Sequence, residues 1–300
     1  MRLALHQLNA TVGDIPGNEA KIRDGIRAAR EAGAQLVAFP ELALTGYPPE
    51  DLLLKEHFLR DARAAVDRLA EEVTGIVALV GFPERAEDVF NAMAVLADGE
   101  LQGIYRKMRL PNYGVFDEVR YFQAGVRPAV IEVDGITVGL SICEDMWVPG
   151  PPLTDEALAG AEVVVNISAS PYHAGKPAER EQMLAQRARD NLSAVAFCAL
   201  VGGQDELVFD GTSSVLDHTG APIARSPMFT EHLLVCDVDA HAARAARLRD
   251  TRPRLASREG RPAVECLGVF ETGAARAATQ RPEGEVVDLL DGDAEVYGAL

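Results

Sequence analysis

Residues 136–147 read Ile136-Thr137-Val138-Gly139-Leu140-Ser141-Ile142-Cys143, followed at once by Glu144-Asp145-Met146-Trp147. The apolar residues alternate with small or polar ones, so they share one face of a strand while Cys143 falls on the other face with small neighbours. The run therefore predicts a buried strand that ends on a thiol, where the chain turns sharply. Because reaction sites in parallel α/β sheets form at the carboxyl ends of strands, Cys143 is a candidate nucleophile.

Two other residues with suitable chemistry stand at the ends of predicted elements. Glu41 closes the run 36–41, and Lys107 lies in the segment 105–114. A cysteine nucleophile needs a base for its proton and donors for the oxyanion that forms on attack. Glu41 has the chemistry of the base, and Lys107 and the backbone N–H of Glu144 have that of the donors. Taken singly, each has a plainer interpretation: Cys143 as a packing residue, Glu41 as a satisfied carboxylate at a helix start, and Lys107 as part of a solvated basic edge.

Composition limits the classes of protein to which the chain can belong. Its 300 residues are 48% hydrophobic and 25% charged, enough for one large domain or two smaller ones. The formal net charge of −17 argues against a nucleic-acid partner. The N-terminus reads as a short strand rather than a signal peptide, and no apolar run is long enough to span a bilayer. The four cysteines are far apart without a CxxC pair, so we expect a reduced, cytoplasmic protein without a bound metal.

Strand-like and helix-like segments alternate along most of the chain. Helices are predicted at 18–32 with Asn18 as its cap, at 57–73 and at 177–192. The dipeptides Asp98-Gly99 and Asp134-Gly135 each separate two strand-like runs and predict hairpins. Parallel units mixed with hairpins imply one mixed sheet, or two sheets packed face to face. Strand-like runs are 3–8, 36–39, 76–81, 92–96, 104–107, 129–133, 136–143, 163–167, 195–201, 213–216 and 233–238.

Three short signatures occur in order along the chain: Phe39-Pro40-Glu41-Leu42, Tyr105-Arg106-Lys107 and Ser141-Ile142-Cys143-Glu144-Asp145. This combination resembles the carbon–nitrogen hydrolase (nitrilase) superfamily. The resemblance implies an α/β fold of the nitrilase type, an αββα four-layer sandwich in which helices flank two mixed β-sheets. It also implies that Glu41 is the general base, Lys107 stabilises the tetrahedral intermediate and Cys143 is the nucleophile.

Longer stretches at 39–53, 110–122 and 166–172 resemble the glutaminase domains of glutamine-dependent NAD synthetases. In that family glutamine is hydrolysed to glutamate and ammonia, and the ammonia passes to a synthetase domain that amidates deamido-NAD using ATP. The resemblance assigns Tyr113, Ser170 and Lys176 to glutamine binding and Glu118 to a second active-site carboxylate. Plainer interpretations stay open here: a turn at Tyr113, a cap at Ser170, a solvated Lys176 and a surface charge pair at Glu118.

The predicted domains are a hydrolase domain at 1–240 and a C-terminal excursion or linker at 241–300. The passage 281–300 resembles the one that leads into the synthetase domain, but no loop of the Ser-Gly-Gly-x-Asp-Ser type occurs. We therefore expect a glutamine amidohydrolase that needs no cofactor, with ATP and deamido-NAD bound only by a synthetase domain absent from this chain. The expected partners are L-glutamine, a synthetase domain or subunit that receives ammonia, and further copies in a homo-oligomer. The alternatives are a free-standing aliphatic amidase or ω-amidase, and a non-catalytic docking module.

Overall fold

The structure, a computed structural model, describes residues 1–256, 260, 263–273 and 284–300. Within these residues two large mixed sheets carry the fold. The first sheet has six strands, in the spatial order β14 (His232–Asp237), β1 (Arg2–Gln7), β2 (Leu36–Ala38), β3 (Val77–Arg85), β4 (Val89–Ala97) and β5 (Glu100–Arg106). β1, β2 and β3 are parallel, and the other pairs are antiparallel.

The second sheet has seven strands and is mixed as well. Its spatial order is β13 (Pro222–Arg225), β12 (Ser214–Leu216), β9 (Ala194–Ala199), β8 (Val163–Ser168), β7 (Ile136–Ile142), β6 (Ala129–Val133) and β15 (Glu265–Phe270). β7, β8 and β9 are parallel, as is the edge pair of β6 and β15. A separate antiparallel ribbon joins β10 (Val201–Gln204) to β11 (Leu207–Asp210).

Three apolar clusters lie between the layers of the sandwich. The central cluster joins the facing sides of the two sheets, with Leu5 and Leu79 from the first and Leu140 and Val165 from the second. The outer clusters place the helices on the far side of each sheet. The helices are α1 (Ile15–Glu31), α2 (Glu56–Glu72), α3 (Glu144–Trp147), α4 (Leu153–Ala159), α5 (Lys176–Asn191), α6 (Ala240–Arg249), α7 (Arg252–Ala256) and α8 (Gly292–Ala299). The predicted αββα sandwich is thus confirmed.

Both predicted hairpins are present, one between β4 and β5 and the other between β6 and β7. Asp98 and Gly99 have φ values of 54° and 80°, and Asp134 and Gly135 have 49° and 78°. Two successive residues with positive φ match the type I′ turn, whose twist fits the right-handed twist of paired strands.

The prediction that Asn18 caps the first helix is wrong. α1 begins at Ile15, and the side chain of Asp14 accepts the cap hydrogen bond from the Gly17 N–H at 3.0 Å. Asn18 lies inside the helix, where its amide bonds the N–H and the carbonyl of Thr11 and so holds the preceding loop. The helix therefore begins one turn earlier than predicted, and Asn18 is buried against that loop.

The C-terminal segment has more regular structure than its weak periodicity predicts. It contributes α6, α7 and α8, and its strand β15 extends the second sheet beside β6. Residues 281–283, at the start of the passage 281–300 that resembles the lead into a synthetase domain, lie outside the described residues. The apolar run 195–201 also divides, since β9 ends at Ala199 and β10 leaves the sheet to pair with β11. Among the described residues, no helix combines the length and apolar character that crossing a bilayer requires.

Candidate active site

The topology brings the ends of three strands to one edge of the sandwich. β5 is antiparallel to β4, and β4 is antiparallel to β3, so β5 runs in the same direction as β3 and β2. Glu41 follows the end of β2 and Lys107 follows the end of β5, so both lie at the same edge of the first sheet. Cys143 follows the end of β7 in the facing sheet. The three predicted catalytic residues therefore meet where the two sheets face each other.

Cys143 occupies the turn between β7 and α3 rather than the strand itself. Its φ of 43° and ψ of −101° are unusual for a residue with a side chain, and its N–H donates to the Ile167 carbonyl of β8 at 2.8 Å. The thiol is buried. Glu144 is the first residue of α3, where a helix has no internal acceptor for the N–H. That N–H therefore suits a ligand beside the thiol.

Asp145 ties the cysteine turn to the lysine segment. Its fully buried carboxylate accepts hydrogen bonds from the Ile142 N–H at 3.0 Å and the Tyr105 hydroxyl at 2.8 Å. It also accepts from the N–H groups of Met108 and Arg109, at 3.0 and 2.8 Å. Burial raises the pKa of Asp145 to about 6, although these hydrogen bonds favour the ionised form and so lower the pKa. One carboxylate therefore fixes the ends of β7 and β5 relative to each other.

Glu41 is fully buried and held through both carboxylate oxygens. Oε1 accepts from Lys107 Nζ at 2.6 Å and from Asn91 Nδ2 at 2.7 Å, and Oε2 accepts from the Ala169 N–H at 2.8 Å. Gly81 of β3 lies against the backbone of this turn, where an added Cβ would overlap the Pro40 carbonyl oxygen. These contacts leave the carboxylate one fixed orientation.

Lys107 lies between two carboxylates, because Glu118 accepts from its Nζ through both oxygens at 2.8 Å. The Tyr47 hydroxyl donates to Glu118 Oε1 at 2.9 Å. Burial alone would lower the pKa of Lys107, but the Glu118 and Glu41 charges outweigh burial and hold that pKa well above its usual value. Burial, partly offset by the Lys107 charge, raises the pKa of Glu118 to about 7. The ammonium has three N–H groups, and if the two oxygens of Glu118 share one of them, Glu41 takes the second and the third can donate to a developing oxyanion.

The Cys143 thiol is electrostatically coupled to the same cluster. Burial raises its pKa well above the ordinary value, and the Glu41 charge raises it further, while the Lys107 charge lowers it. The resting group is therefore a neutral thiol. A thiol beside a buried carboxylate can lose its proton during attack rather than before it, with Glu41 as the acceptor.

The thiol opens onto a cavity of about 490 Å³. The cavity wall includes Cys143, Glu144, Tyr113, Ser170, Lys176 and Trp147. The Tyr113 hydroxyl donates to both oxygens of Glu144, at 2.9 and 3.0 Å, and burial raises the pKa of this tyrosine to about 12. Lys176 Nζ donates to the Pro171 carbonyl at 2.6 Å and lies 5.6 Å from the centre of the Trp147 ring. The cavity thus offers a cation, a carboxylate and hydroxyl groups to a small polar substrate.

The carbon-nitrogen hydrolase family profile matches residues 2–248. The chain belongs to the carbon-nitrogen hydrolase family. A glutamine-dependent NAD(+) synthetase from Thermotoga maritima is 42% identical over 303 residues, covering 100% of this chain and 52% of the relative. The solved glutamine-dependent NAD+ synthetase from Acinetobacter baumannii, in complex with ADP, has a TM-score of 0.82 and 31% identity, covering 99% of this chain and 50% of that chain.

A second solved neighbour is a variant of the amidase from Nesterenkonia sp. AN1. It carries the acetamide moiety of fluoroacetamide, covalently added at its active-site cysteine. It has a TM-score of 0.73 and 27% identity, covering 86% of this chain and 96% of that chain. The present chain spans about half the length of the curated relatives that it matches.

The predicted site residues of this carbon-nitrogen hydrolase come together in the structure. Glu41, Lys107 and Glu118 form one hydrogen-bonded cluster beside Cys143, while Tyr113, Ser170, Lys176 and Glu144 line the cavity. Glu118 is buried against Lys107 and Tyr47, so this second carboxylate holds the lysine and is not part of a surface charge pair.

Sequence reasoning missed three residues of the site: Asn91, Tyr47 and Asp145. The available signal was a polar group flanked by apolar residues, as at Asn91 in strand β4. That signal does not indicate which buried group the amide contacts.

Proposed function

We propose that this chain is a glutamine amidohydrolase, which converts L-glutamine to glutamate and ammonia through a thioester on Cys143. The observation that carries the proposal is the buried Glu41–Lys107–Glu118 cluster coupled to a thiol at the base of a cavity with paired polar groups. The NAD synthetase relatives in the same family support glutamine as the amide.

The geometry supports a two-stage reaction. Glu41 takes the thiol proton as the Cys143 sulfur attacks the side-chain amide carbon, and the Lys107 ammonium and Glu144 N–H stabilise the oxyanion. The carbon–nitrogen bond breaks, and the proton on Glu41 leaves with the nitrogen as ammonia. Glu41 then takes a proton from water, whose oxygen attacks the thioester. The carbon–sulfur bond breaks, glutamate leaves, and the proton returns to the sulfur. No cofactor takes part in either stage.

Recognition of an α-amino acid needs opposite charges in the cavity, because buried charged groups must be paired. In our proposal Lys176 meets the α-carboxylate, with Ser170 as a further hydrogen-bond partner. Burial lowers the pKa of Lys176, and an arriving carboxylate would offset this effect. The Glu144 carboxylate, oriented by the Tyr113 hydroxyl, meets the α-ammonium. A simple aliphatic amide would leave both charges unpaired.

We further propose that the ammonia serves a synthetase partner that amidates deamido-NAD with ATP. The support is that the relatives are NAD synthetases about twice the length of this chain. ATP and deamido-NAD would bind the partner.

The direct test is ammonia release from L-glutamine by the purified chain, beside Cys143→Ala and the matched control Cys266→Ala, whose cysteine is exposed. We expect release from the wild type and the control but not from Cys143→Ala. Glutaminase activity that persists in Cys143→Ala would overturn the proposal. Faster turnover of propionamide than of glutamine would instead indicate an aliphatic amidase, and no turnover of any amide by a folded chain would indicate a docking module.

A further inference from the structure

The C-terminal helix α8 buries a carboxylate. Glu295 is 7% exposed, while Asp293, Val296 and Tyr297 on the same helix are exposed. Glutamate is almost never buried without a partner. Here Oε1 of Glu295 accepts a hydrogen bond from the Gly175 N–H at 2.9 Å. α8 therefore contacts the rest of the protein through the side chain of Glu295, which binds the backbone N–H of Gly175.

Gly175 lies beside the proposed substrate cavity. It is the N-cap of α5 with a left-handed φ of 82°, and the next residue is Lys176. The preceding residues 170–173 line the cavity wall. A carboxylate at the N-terminus of the 16-residue α5 interacts favourably with the helix dipole as well as with the N–H. Glu295 thus fixes the turn from which Lys176 projects.

A second contact joins α8 to the same loop. Gly298 packs so closely on Phe229 that an added Cβ would lie 2.7 Å from that ring. The Phe229 ring in turn meets the Tyr172 ring edge to face, with centroids 5.3 Å apart. The Tyr172 hydroxyl is buried beside Glu295, and the charge of Glu295 and a hydrogen bond to it raise the pKa of this tyrosine, after the larger effect of burial.

We propose that Glu295 is a positioning residue for substrate binding. By holding Gly175 and the loop 170–176, it places Lys176 for the α-carboxylate of glutamine, so the position of α8 sets the affinity of the cavity. The proposal rests on the proposed glutaminase function. The hydrogen bonds that hold Glu41, Lys107 and Cys143 at the strand ends come from Asn91, Ala169 and Ile167 and not from α8, so displacement of α8 changes binding rather than the chemical steps.

The test compares Glu295→Ala and Glu295→Gln with the matched controls Asp293→Ala and Asp293→Asn. We expect Glu295→Ala to raise KM for glutamine about tenfold, the usual order for a lost hydrogen bond to a charged group, with kcat within about twofold. Glu295→Gln keeps an acceptor oxygen and should recover most of the affinity. Both Asp293 variants should match the wild type. Iodoacetamide does not need Lys176 to react with Cys143. The rate at which it alkylates Cys143 should therefore be the same in the wild type and in all four variants.

A second measurement separates failure of this inference from failure of the glutaminase function. Calorimetry of glutamine binding in the Cys143→Ala background does not require turnover, and Glu295→Ala should weaken Kd there by the same factor. An unchanged KM and Kd would overturn the inference while leaving the glutaminase function intact. The inference would also be overturned if Glu295→Gln and Glu295→Ala lost the same affinity for glutamine and both slowed alkylation of Cys143. That pattern would indicate a general structural role for Glu295. Wild-type protein that neither hydrolyses nor binds glutamine would overturn both.

Discussion

Replacing Lys107 by Met tests the electrostatics of the buried cluster. The lysine is fully buried, and its Nζ lies 2.6 Å from Glu41 Oε1 and 2.8 Å from both oxygens of Glu118. Met fills most of the same volume without the charge. The variant therefore retains two buried carboxylates that face each other without the ammonium between them.

The magnitude follows from the burial of these groups. Removing one partner of a buried ion pair costs about 3–5 kcal/mol of unfolding free energy at neutral pH, because the remaining charge stays desolvated. The variant can offset part of this cost by binding one more proton than the wild type. Burial already raises the pKa of Glu118 to about 7 in the wild type, and without the Lys107 charge it rises further above that of glutamate in the unfolded chain, about 4.3. Its stability relative to the wild type therefore rises as the pH falls through the folded pKa, by up to about 1.4 kcal/mol per pH unit.

The assay is urea unfolding of both proteins at pH 8 and pH 5, with Lys55→Met as the control. Lys55 is half exposed, and its contact to Asp51 is 3.9 Å long, so that control should change stability by less than about 1 kcal/mol at either pH. We expect a deficit of about 3–5 kcal/mol for Lys107→Met at pH 8 and a clearly smaller one at pH 5. A deficit below about 1 kcal/mol at pH 8, or one that is equal at both pH values, would refute the reasoning.

Three other substitutions separate binding, proton transfer and scaffold. Lys176→Met should raise KM for glutamine about tenfold or more without changing propionamide turnover, since only glutamine carries an α-carboxylate. We expect ionisation of Glu118, which holds the Lys107 ammonium, to set the acidic limb of the kcat/KM profile near pH 7. Tyr47→Phe removes a hydrogen bond that lowers the pKa of Glu118, so this limb should move up by about half a unit to one unit. Asp145→Asn places an amide N–H₂ against groups that are all donors and should cost about 3 kcal/mol in urea unfolding.

Each of these has an outcome that contradicts it. If Lys176→Met reduced kcat/KM equally for glutamine and propionamide, Lys176 would have no role in recognising the α-carboxylate. An acidic limb that stays in place or moves down in Tyr47→Phe would show that Glu118 does not set it. For Asp145→Asn the control is Asp155→Asn in α4, where we expect a change within about 0.5 kcal/mol, and equal effects of the two variants would contradict the scaffold role.

The catalytic candidates could be predicted because their signals are local in the sequence. Cys143 and Lys107 are the last residues of predicted strands and Glu41 closely follows one, and the flanking residues resemble those of one family. The two Asp-Gly hairpins were equally local, since a type I′ turn needs only two adjacent residues that tolerate positive φ.

The supporting residues could not be predicted because their partners are distant in the chain. Asn91 contacts Glu41 across 50 positions, and Tyr47 contacts Glu118 across 71. Such pairs depend on sheet order and on how the two sheets stack, which alternation does not encode. The edge strands β13 and β15 were missed for a related reason, because neighbouring strands rather than their own composition stabilise them.

The most direct test of the central claim is to identify the residue that reacts with a glutamine-like electrophile. Wild-type protein would be treated with 6-diazo-5-oxo-L-norleucine, digested and examined by mass spectrometry while ammonia release is followed. We predict a single label on Cys143, loss of activity in proportion to labelling, and protection by L-glutamine. A label on another residue, or ammonia release that continues after Cys143 is fully labelled, would contradict the assignment of Cys143 as the nucleophile.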